Sequence, residues 1–369
     1  MSDAPLVTVV VPARNEERSI ARCLDSVLGQ TGPDLEVLVV DGDSDDATLD
    51  VVRERAARDP RVRVLRNPRR VIPAALNVGL AAARGRWLVR VDAHSTVPPH
   101  YVETVVGHLA TGRWGGVGGR KDAVSATTVG RAVAAALGSP FGVGNSHYHH
   151  ATEAREVDHV PFGAYPVALC RAVGGWDEAI TTNEDYEFDY RVRLAGGRLL
   201  LDPSLRIAWE CRETLPALAG QYWRYGKGKA AVARKHPRSL RPRHLAAPLL
   251  VAAAVAAAAT AAAAPRRPGL PALGALATAY GGVLALGTAH ASRTLTDRRA
   301  RRWLPAALAT MHLAWGAGFW AGLLTGAGRQ REDQPGEEAQ QRGEPVLVQD
   351  RLDHPLGEEA DQHGPGHRG

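Results

Sequence analysis

Three long apolar segments in the last third of the chain constrain its fold most strongly. They cover residues 245–264, 270–291 and 303–324, and none of them contains Asp, Glu, Lys or Arg. A helix of about 20 apolar residues can cross the hydrocarbon core of a bilayer. Because alanine makes each segment only modestly hydrophobic, three buried helices of a soluble domain are the alternative interpretation. We expect transmembrane helices that pack closely through their small residues.

The distribution of positive charge predicts the orientation of these helices. Residues 224–243 carry eight Lys or Arg and no acid, and five arginines lie between the second and third segments. The loop between the first and second segments has only Arg266 and Arg267. Since basic flanks stay in the cytosol, we expect a multi-pass protein of the plasma membrane with a cytoplasmic N-terminal domain. Anchoring beside the membrane explains the basic run better than nucleic-acid binding does.

The chain is accordingly divided into three parts. Residues 1–236 form the N-terminal domain, 237–328 form the membrane region, and 329–369 form an acidic tail that we expect to be disordered and outside the cell. The three cysteines are odd in number and far apart. That pattern is typical of a reducing compartment rather than of a disulfide framework.

The N-terminal domain alternates short β-branched apolar runs with amphipathic stretches. Strands are predicted at 6–11, 35–40, 62–65 and 87–91, and helices at 19–30, 46–58 and 72–83. Such β–α repeats predict an α/β fold, with a Rossmann-like, mostly parallel sheet and helices on both faces. The less regular region that follows predicts helices at 99–110, 128–137 and 184–194 and strands at 115–120, 160–164 and 198–201.

Polar clusters follow three of the predicted strands. They are Pro12, Ala13, Arg14, Asn15 and Glu16 after the first strand, Asp41 and Asp43 after the second, and Asp92 and His94 after the fourth. Ligands of such sheets bind beyond the carboxyl ends of the strands, so we interpret the clusters as one active-site rim. The Asp41 and Asp43 carboxylates suit a nucleotide base or ribose, although both also precede a helix that they could cap.

Asp92 and His94 are candidate metal ligands. Residues two apart in an extended chain point the same way, so both side chains can reach one cation. A carboxylate with an imidazole suits Mn²⁺, and Mg²⁺ less well. The alternative interpretation of Asp-x-His is a simple turn. Four further histidines, His147, His149, His150 and His159, are crowded in a loop without a ligand pattern, and we expect no metal there.

Two later motifs add candidate groups. Glu184 and Asp185 begin a predicted helix, where acids either complement the helix dipole or supply a general base. Glu187 and Asp189 are expected to face solvent or Arg191 and Arg193. A third stretch, residues 221–225, combines an amide, aromatic rings and Arg224, which suit contacts to phosphate and sugar but also suit a membrane interface.

These motifs, in this order, resemble those of glycosyltransferase family 2 with its GT-A domain. The resemblance covers about residues 6–230 and rests on VTVVVPARNEERSIARCLDSVLGQ, LEVLVVDGDSDDAT, ALNVGLAAARGRWLVRVDAHS and GGWDEAITTNEDYEFDYRVRLAGG. The DAHS form and QYWRYGKGK resemble exopolysaccharide glucosyltransferases of the succinoglycan type.

The resemblance implies a role for each candidate residue. Asp185, with Glu184 beside it, would be the catalytic base. The nucleotide-sugar site would comprise Pro12, Ala13, Arg14, Glu16, Asp41, Asp43 and Asp92. The acceptor and diphosphate contacts would come from Trp176, Asp177, Gln221 and Arg224. Asp92 and His94 would hold Mn²⁺ or Mg²⁺, with His94 where the family has a second acid and Tyr225 where it has Trp.

The expected function is an inverting transfer of a sugar, from UDP-hexose or another nucleotide-diphosphate sugar, to a lipid-linked or glycan acceptor. Its setting would be exopolysaccharide or surface polysaccharide biosynthesis at the membrane, with polysaccharide assembly proteins as partners. Two alternatives stay open. One is a processive synthase, which three spans support poorly, and the other is a non-catalytic scaffold of an assembly complex.

Overall fold

The fold is described by a computed structural model, which covers residues 7–263 and 269–325. The predicted tail 329–369 lies outside the described residues. The strands are β1 (Val7–Ala13), β2 (Leu35–Asp41), β3 (Val62–Arg66), β4 (Trp87–Arg90), β5 (Ser95–Thr96), β6 (Gly116–Val124), β7 (Arg155–Val157), β8 (Ala164–Pro166) and β9 (Leu199–Glu210). The helices before the membrane region are α1 (Ile20–Leu28), α2 (Thr48–Arg58), α3 (Ile72–Ala82), α4 (Tyr101–Ala110), α5 (Thr128–Leu137), α6 (Pro140–Val143), α7 (Val167–Ala172), α8 (Glu184–Leu194) and α9 (Leu215–Lys235). Those within it are α10 (Ala246–Ala263), α11 (Gly269–Ala291), α12 (Arg298–Arg301) and α13 (Leu304–Thr325).

The strands form one mixed sheet in the order β3-β2-β1-β4-β8-β6-β9-β5, with β7 paired to β9. The pairs β1–β2, β1–β4 and β2–β3 are parallel, as the β–α repeats predict. Beyond β4 the sheet departs from the predicted parallel arrangement. There β8 runs antiparallel to both β4 and β6, and β9 pairs parallel with β6 but antiparallel with β5 and β7.

The parallel half places three strand ends side by side. Ala13 at the end of β1 pairs with Asp41 at the end of β2, and Val10 pairs with Arg90 at the end of β4. Apolar side chains on both faces of β1 explain why it is buried along its length. Helix α1 covers one face with Ile20, Cys23, Leu24 and Val27, the helical spacing that the sequence predicts.

Two predictions about the region after β6 are wrong. Residues 160–163 do not form the predicted strand, and β8 begins at Ala164. The Val160 amide instead donates to the Asp189 carboxylate (2.8 Å), and Phe162 has a left-handed φ of 50°, which a strand does not allow. Asp189 and Glu187 do not face solvent, since both are fully buried, although Glu187 does pair with Arg191 as expected.

Helices α10, α11 and α13 are long and apolar enough to cross a membrane by length and composition. They begin and end within a few residues of the predicted segments. The three helices differ, however, in how much of their surface the rest of the protein covers. The apolar windows of α10 and α11 are each 6% buried, whereas that of α13 is 39% buried. Helix α13 therefore packs against the rest of the protein much more than the other two do.

Candidate active site

A cavity of about 120 Å³ opens at the carboxyl ends of β1, β2 and β4. It brings together six of the predicted residues: Pro12, Ala13, Arg14, Glu16, Asp92 and His94. Asn67, Arg70, Val71 and Ile72 from the β3–α3 connection complete its wall. The strand ends thus meet in one cleft, in agreement with the expectation for a parallel α/β sheet.

Asp41 and Asp43 lie beside this cleft but have partners of their own. The Asp41 carboxylate accepts from the Ser44 hydroxyl (2.6 Å) and from the amides of Asp43 (3.1 Å) and Ser44 (3.2 Å). Asp43 pairs with Arg66 and Arg70, and these two guanidinium groups lower its pKa. In this structure Asp41 shapes the turn after β2, and Asp43 fixes Arg70 at the cavity wall.

Arg90 connects the cleft to the second candidate group. Its guanidinium is buried and donates to the Asp92 carboxylate (2.7 and 3.3 Å) and to Glu184 Oε1 (3.0 Å). Burial and the negative charge of Asp185 raise the pKa of Glu184 to about 7, against the opposing effect of Arg90. Because one arginine bridges both carboxylates, the Asp92 region and the Glu184-Asp185 pair form one continuous site.

Asp185 differs from its neighbours because its carboxylate stays partly open. Its side chain is 27% exposed. Oδ1 accepts from the Tyr186 amide (2.7 Å), and Oδ2 lies 3.7 Å from His159 Nε2. Burial opposes its ionisation, but the positive charges of His159 and Arg90 prevail and lower its pKa. An ionised carboxylate with an accessible oxygen is what a general base requires.

Two lysines flank Asp185: Lys121 is half-buried and Lys229 is buried. The Lys121 ammonium lies 4.3 Å from the ring centres of both Phe162 and Trp209. The Lys229 ammonium lies 3.0 Å from the ring centre of Tyr186. Burial lowers the pKa of Lys121 to about 8 and that of Lys229 to about 7. Aromatic faces hold a cation without neutralising it, so the charged fraction of these two ammonium groups favours an anionic substrate.

The donor atoms of the cleft fit a divalent cation that phosphate oxygens help to bind. Among residues 7–263 and 269–325, no three His, Cys, Asp or Glu side chains form a complete metal site. His94 Nδ1 lies 3.2 Å from Glu16 Oε1, and both line the same cavity as Asp92. Mg²⁺ and similar ions often use one or two protein carboxylates and complete their shell with substrate phosphates and water.

The remaining predicted residues lie outside this cavity. Trp176 is buried and stacks on Phe188, with ring centres 4.2 Å apart. Asp177 pairs with Lys235 at the end of α9 (2.5 Å). Gln221 is buried and donates to the Tyr225 hydroxyl (3.2 Å), whereas Arg224 is exposed on α9. The structure therefore does not gather these four side chains around the cleft.

Sequence reasoning missed Arg90, Lys121, His159 and Lys229, the four cations around Asp185. A usable signal existed only for Arg90, which is a charged residue in an otherwise apolar strand, two residues before Asp92. A buried charge of that kind requires a partner. The other three come from β6, the segment before β8 and α9, and only the tertiary fold brings them together.

Known proteins resemble this chain in sequence and in fold. Residues 8–171 match the model of Glycosyl transferase family 2. The chain is 32% identical over 325 residues to the succinoglycan biosynthesis protein ExoA of Rhizobium meliloti (strain 1021), a match that covers 86% of this chain and 94% of that protein. A dolichyl N-acetyl-alpha-D-glucosaminyl phosphate 3-beta-D-2,3-diacetamido-2,3-dideoxy-beta-D-glucuronosyltransferase of Methanococcus voltae is 24% identical over 239 residues, or 62% of this chain and 74% of that one.

The fold is also that of a solved transferase. The mannosyltransferase PcManGT from Pyrobaculum calidifontis, in complex with GDP-Man and Mn²⁺, matches with a TM-score of 0.60 and 23% identity over 87% of this chain and 88% of that chain. This likeness confirms the predicted GT-A-like α/β fold. The family model and the full-length relative show that the chain is a glycosyltransferase and belongs to glycosyltransferase family 2.

Proposed function

We propose that this chain transfers a hexosyl group with inversion, from UDP-hexose or another nucleotide-diphosphate sugar, to a lipid-linked acceptor of exopolysaccharide or surface polysaccharide biosynthesis. The observation that carries the proposal is the Arg90 bridge, which makes the cleft at the strand ends continuous with a carboxylate suited to act as a base. The relative named for succinoglycan biosynthesis supports the polysaccharide setting. The relative named for a dolichyl phosphate acceptor supports a lipid-linked acceptor.

The reaction we propose is a single displacement. The acceptor hydroxyl oxygen forms a bond to the anomeric carbon, its proton passes to Asp185, and the bond from that carbon to the diphosphate breaks. The nucleoside diphosphate then leaves, and an α-linked donor gives a β-linked product. A divalent metal held by Asp92 and His94 would neutralise charge on the diphosphate. Glu184, with its raised pKa, carries less negative charge beside Asp185 and so interferes less with the base.

A panel of nucleotide sugars tests this proposal. Full-length protein in detergent is supplied with UDP- and GDP-sugars, Mn²⁺ or Mg²⁺, and lipid extracted from the producing membrane. We expect release of one nucleoside diphosphate to depend on both metal and lipid, with the sugar recovered in the lipid fraction. Absence of transfer from every donor, with the protein folded, would favour a non-catalytic scaffold. A ladder of polymer products would favour a processive synthase.

His94 provides a prediction about the metal. His94→Ala removes one proposed metal ligand but leaves Asp92, so the metal concentration for half-maximal activity should rise roughly 10–100-fold. The measurement is a titration of transfer activity with Mn²⁺ and, separately, with Mg²⁺. His100→Ala, at a residue next to α4 and outside the cavity, is the matched control and should leave the titration unchanged. An unaltered response of His94→Ala would remove His94 from the metal site.

The packing of α13 favours a membrane arrangement different from three spans. Gly226 of α9 and Gly318 and Gly322 of α13 lie where an added Cβ would collide with the facing helix, so the two helices lie in close contact. Helix α9 in turn is attached to the N-terminal domain. The Asn183 side-chain amide donates to the Tyr225 carbonyl (3.0 Å), and the Lys235 ammonium contacts Glu187 (2.7 Å).

A transmembrane α13 would therefore carry α9 into the bilayer. Helix α9 bears Arg224, Lys227 and Arg234, and charged side chains in hydrocarbon cost several kcal/mol each. We propose instead that α10 and α11 cross the membrane as a hairpin, while α13 lies along the membrane surface beside α9. The chain after Thr325 then lies on the same side as the catalytic domain, in the cytoplasm. A two-helix hairpin also provides no polymer channel.

Cysteine labelling distinguishes the two arrangements. The native Cys23, Cys170 and Cys211 are buried, so introduced cysteines report their own positions. On intact cells, a membrane-impermeant maleimide should label Arg266→Cys, between α10 and α11, but label Gly328→Cys only after the cells are opened. Labelling of Gly328→Cys on intact cells would restore the three-span arrangement and place the tail outside.

A further inference from the structure

The segment before β8 carries a histidine whose orientation is fixed from one side. Asp189 of α8 is fully buried, and its carboxylate accepts three hydrogen bonds. The donors are His159 Nδ1 (2.7 Å), the Val160 amide (2.8 Å) and the Tyr165 hydroxyl (2.7 Å). Burial raises the pKa of Asp189, but these three hydrogen bonds oppose that effect and favour the ionised carboxylate, so we assign the Nδ1 proton to His159. The pair His159–Asp189 is therefore rigid, and the imidazole can hardly rotate.

The other side of the imidazole faces Asp185. His159 Nε2 lies 3.7 Å from Asp185 Oδ2. Edge-on contacts with Tyr148 (ring centres 5.3 Å apart) and Tyr186 (5.6 Å) confine the ring from both sides. A buried carboxylate thus holds an imidazole whose second nitrogen points at the open carboxylate of the active site.

We propose that His159, held by Asp189, is a positioning residue that keeps Asp185 ionised and in place beside the acceptor hydroxyl. The inference rests on the proposed function, in which Asp185 is the base. The His159 imidazolium attracts the Asp185 carboxylate through a partly buried gap, where the interaction is stronger than in water. The Asp189 carboxylate compensates the buried imidazolium, as other buried charges require.

The charges around the pair agree with this role. Burial disfavours the charged imidazole, but Asp185 and Asp189 outweigh it and raise the pKa of His159. The charged groups that face Asp185 are Arg90 from β4, Lys121 from β6, Lys229 from α9, and His159, with Glu184 next to it on α8. The hydroxyls of Tyr148, Tyr165 and Tyr225 are further titratable groups near Asp185.

The consequence for pH dependence has a definite sign. Asp185 must be ionised to act, so activity falls as the pH drops through its pKa. Loss of the His159 charge removes the strongest of the attractions that lower the pKa of Asp185. The acid limb of kcat should therefore move to higher pH, by about one unit, since the remaining cations still favour the ionised form.

The experiment compares His159→Gln and Asp189→Asn with wild type in the full-length protein. Asp185 stays ionised at pH 7 in His159→Gln, but it is less well positioned, so we expect kcat at that pH to fall roughly 10–100-fold. The acid limb should move upward, and the KM for the donor should stay unchanged. Asp189→Asn should move the limb in the same direction, because it disfavours the imidazolium. Donor binding and thermal melting confirm that each variant is folded, and either variant alone suffices for the test.

His108→Gln is the matched control, since His108 forms another His–Asp pair, with Asp202 (2.8 Å), away from Asp185. It should leave the acid limb in place. A lower kcat with an unmoved limb in folded His159→Gln would show a merely structural role and overturn the inference, as would an unchanged kcat. If Asp185→Asn also kept its activity, the base assignment itself would fail. If Asp185→Asn is inactive but the acid limb of His159→Gln stays in place, the proposed role of His159 is excluded and Asp185 remains the base.

Discussion

Asp185→Asn is expected to lower sugar transfer by about 10²–10⁴-fold or more, because a positioned base contributes a factor of that size. The amide keeps the shape of the side chain and its contact with the Tyr186 amide, but it cannot accept the proton of the acceptor hydroxyl. The donor cleft is formed by other residues, at the ends of β1, β2 and β4. Donor affinity should therefore stay nearly unchanged in the variant.

Two measurements separate these effects. Transfer is followed with a radiolabelled nucleotide sugar, and donor affinity by calorimetric titration of the same preparation. Asp59→Asn makes the same change in a surface carboxylate paired with Arg61, far from the cleft, and should leave both quantities as they are. If Asp185→Asn lost donor binding instead, Asp185 would belong to the nucleotide site. Substantial residual transfer would exclude it as the base.

Glu187→Gln is expected to destabilise the protein by about 3–5 kcal/mol, the usual cost of breaking a buried ion pair. Glu187 is fully buried and accepts from Arg191 (2.8 Å), Lys235 (2.7 Å) and His236 (2.9 Å). A neutral amide would remove the negative charge that the Arg191 guanidinium and the Lys235 ammonium share. Since Lys235 and His236 end α9, the change also loosens α9 from the N-terminal domain.

Thermal unfolding of the full chain in detergent measures this cost, with an expected fall in Tm of roughly 10 °C. Glu156→Gln is the control, since Glu156 and Arg198 form a pair that is 50% and 51% exposed and should contribute only about 0–1 kcal/mol.

Burial opposes ionisation of Glu187, but its three donors prevail and lower its pKa to about 2. Its stabilisation is thus complete above the ordinary value of 4.5 and is lost as the pH falls towards 2. An equal Tm for Glu187→Gln and wild type would contradict this account.

The parallel half of the sheet could be predicted from sequence because its information is local. Each strand from β1 to β4 is a short apolar run, and each intervening helix shows its own buried face, as Ile20 and Leu24 do in α1. The second half depends on contacts between distant segments. The pairing of β9 with β5, β6 and β7 has no local signature, and the backbone at residues 160–163 is fixed by Asp189 rather than by its own β propensity.

The active site, like the sheet, could be predicted from sequence only where the signal is local. Strand ends located Asp92 and the residues from Pro12 to Glu16, because parallel strands end on one edge. Helix periodicity did not reveal that α8 buries Glu187 and Asp189, since both are charged and both find partners from other elements. Likewise, α13 has the length and composition of a membrane span, and only its packing on α9 indicates another placement.

The anomeric configuration of the product tests the central claim most directly. Sugar from an α-linked donor is transferred to the extracted lipid acceptor, and the new linkage is assigned from the coupling constant of its anomeric proton. A single displacement with Asp185 as base predicts a β-linkage, formed by wild type and not by Asp185→Asn. An α-linked product, or a β-linked product formed equally well by Asp185→Asn, would contradict it.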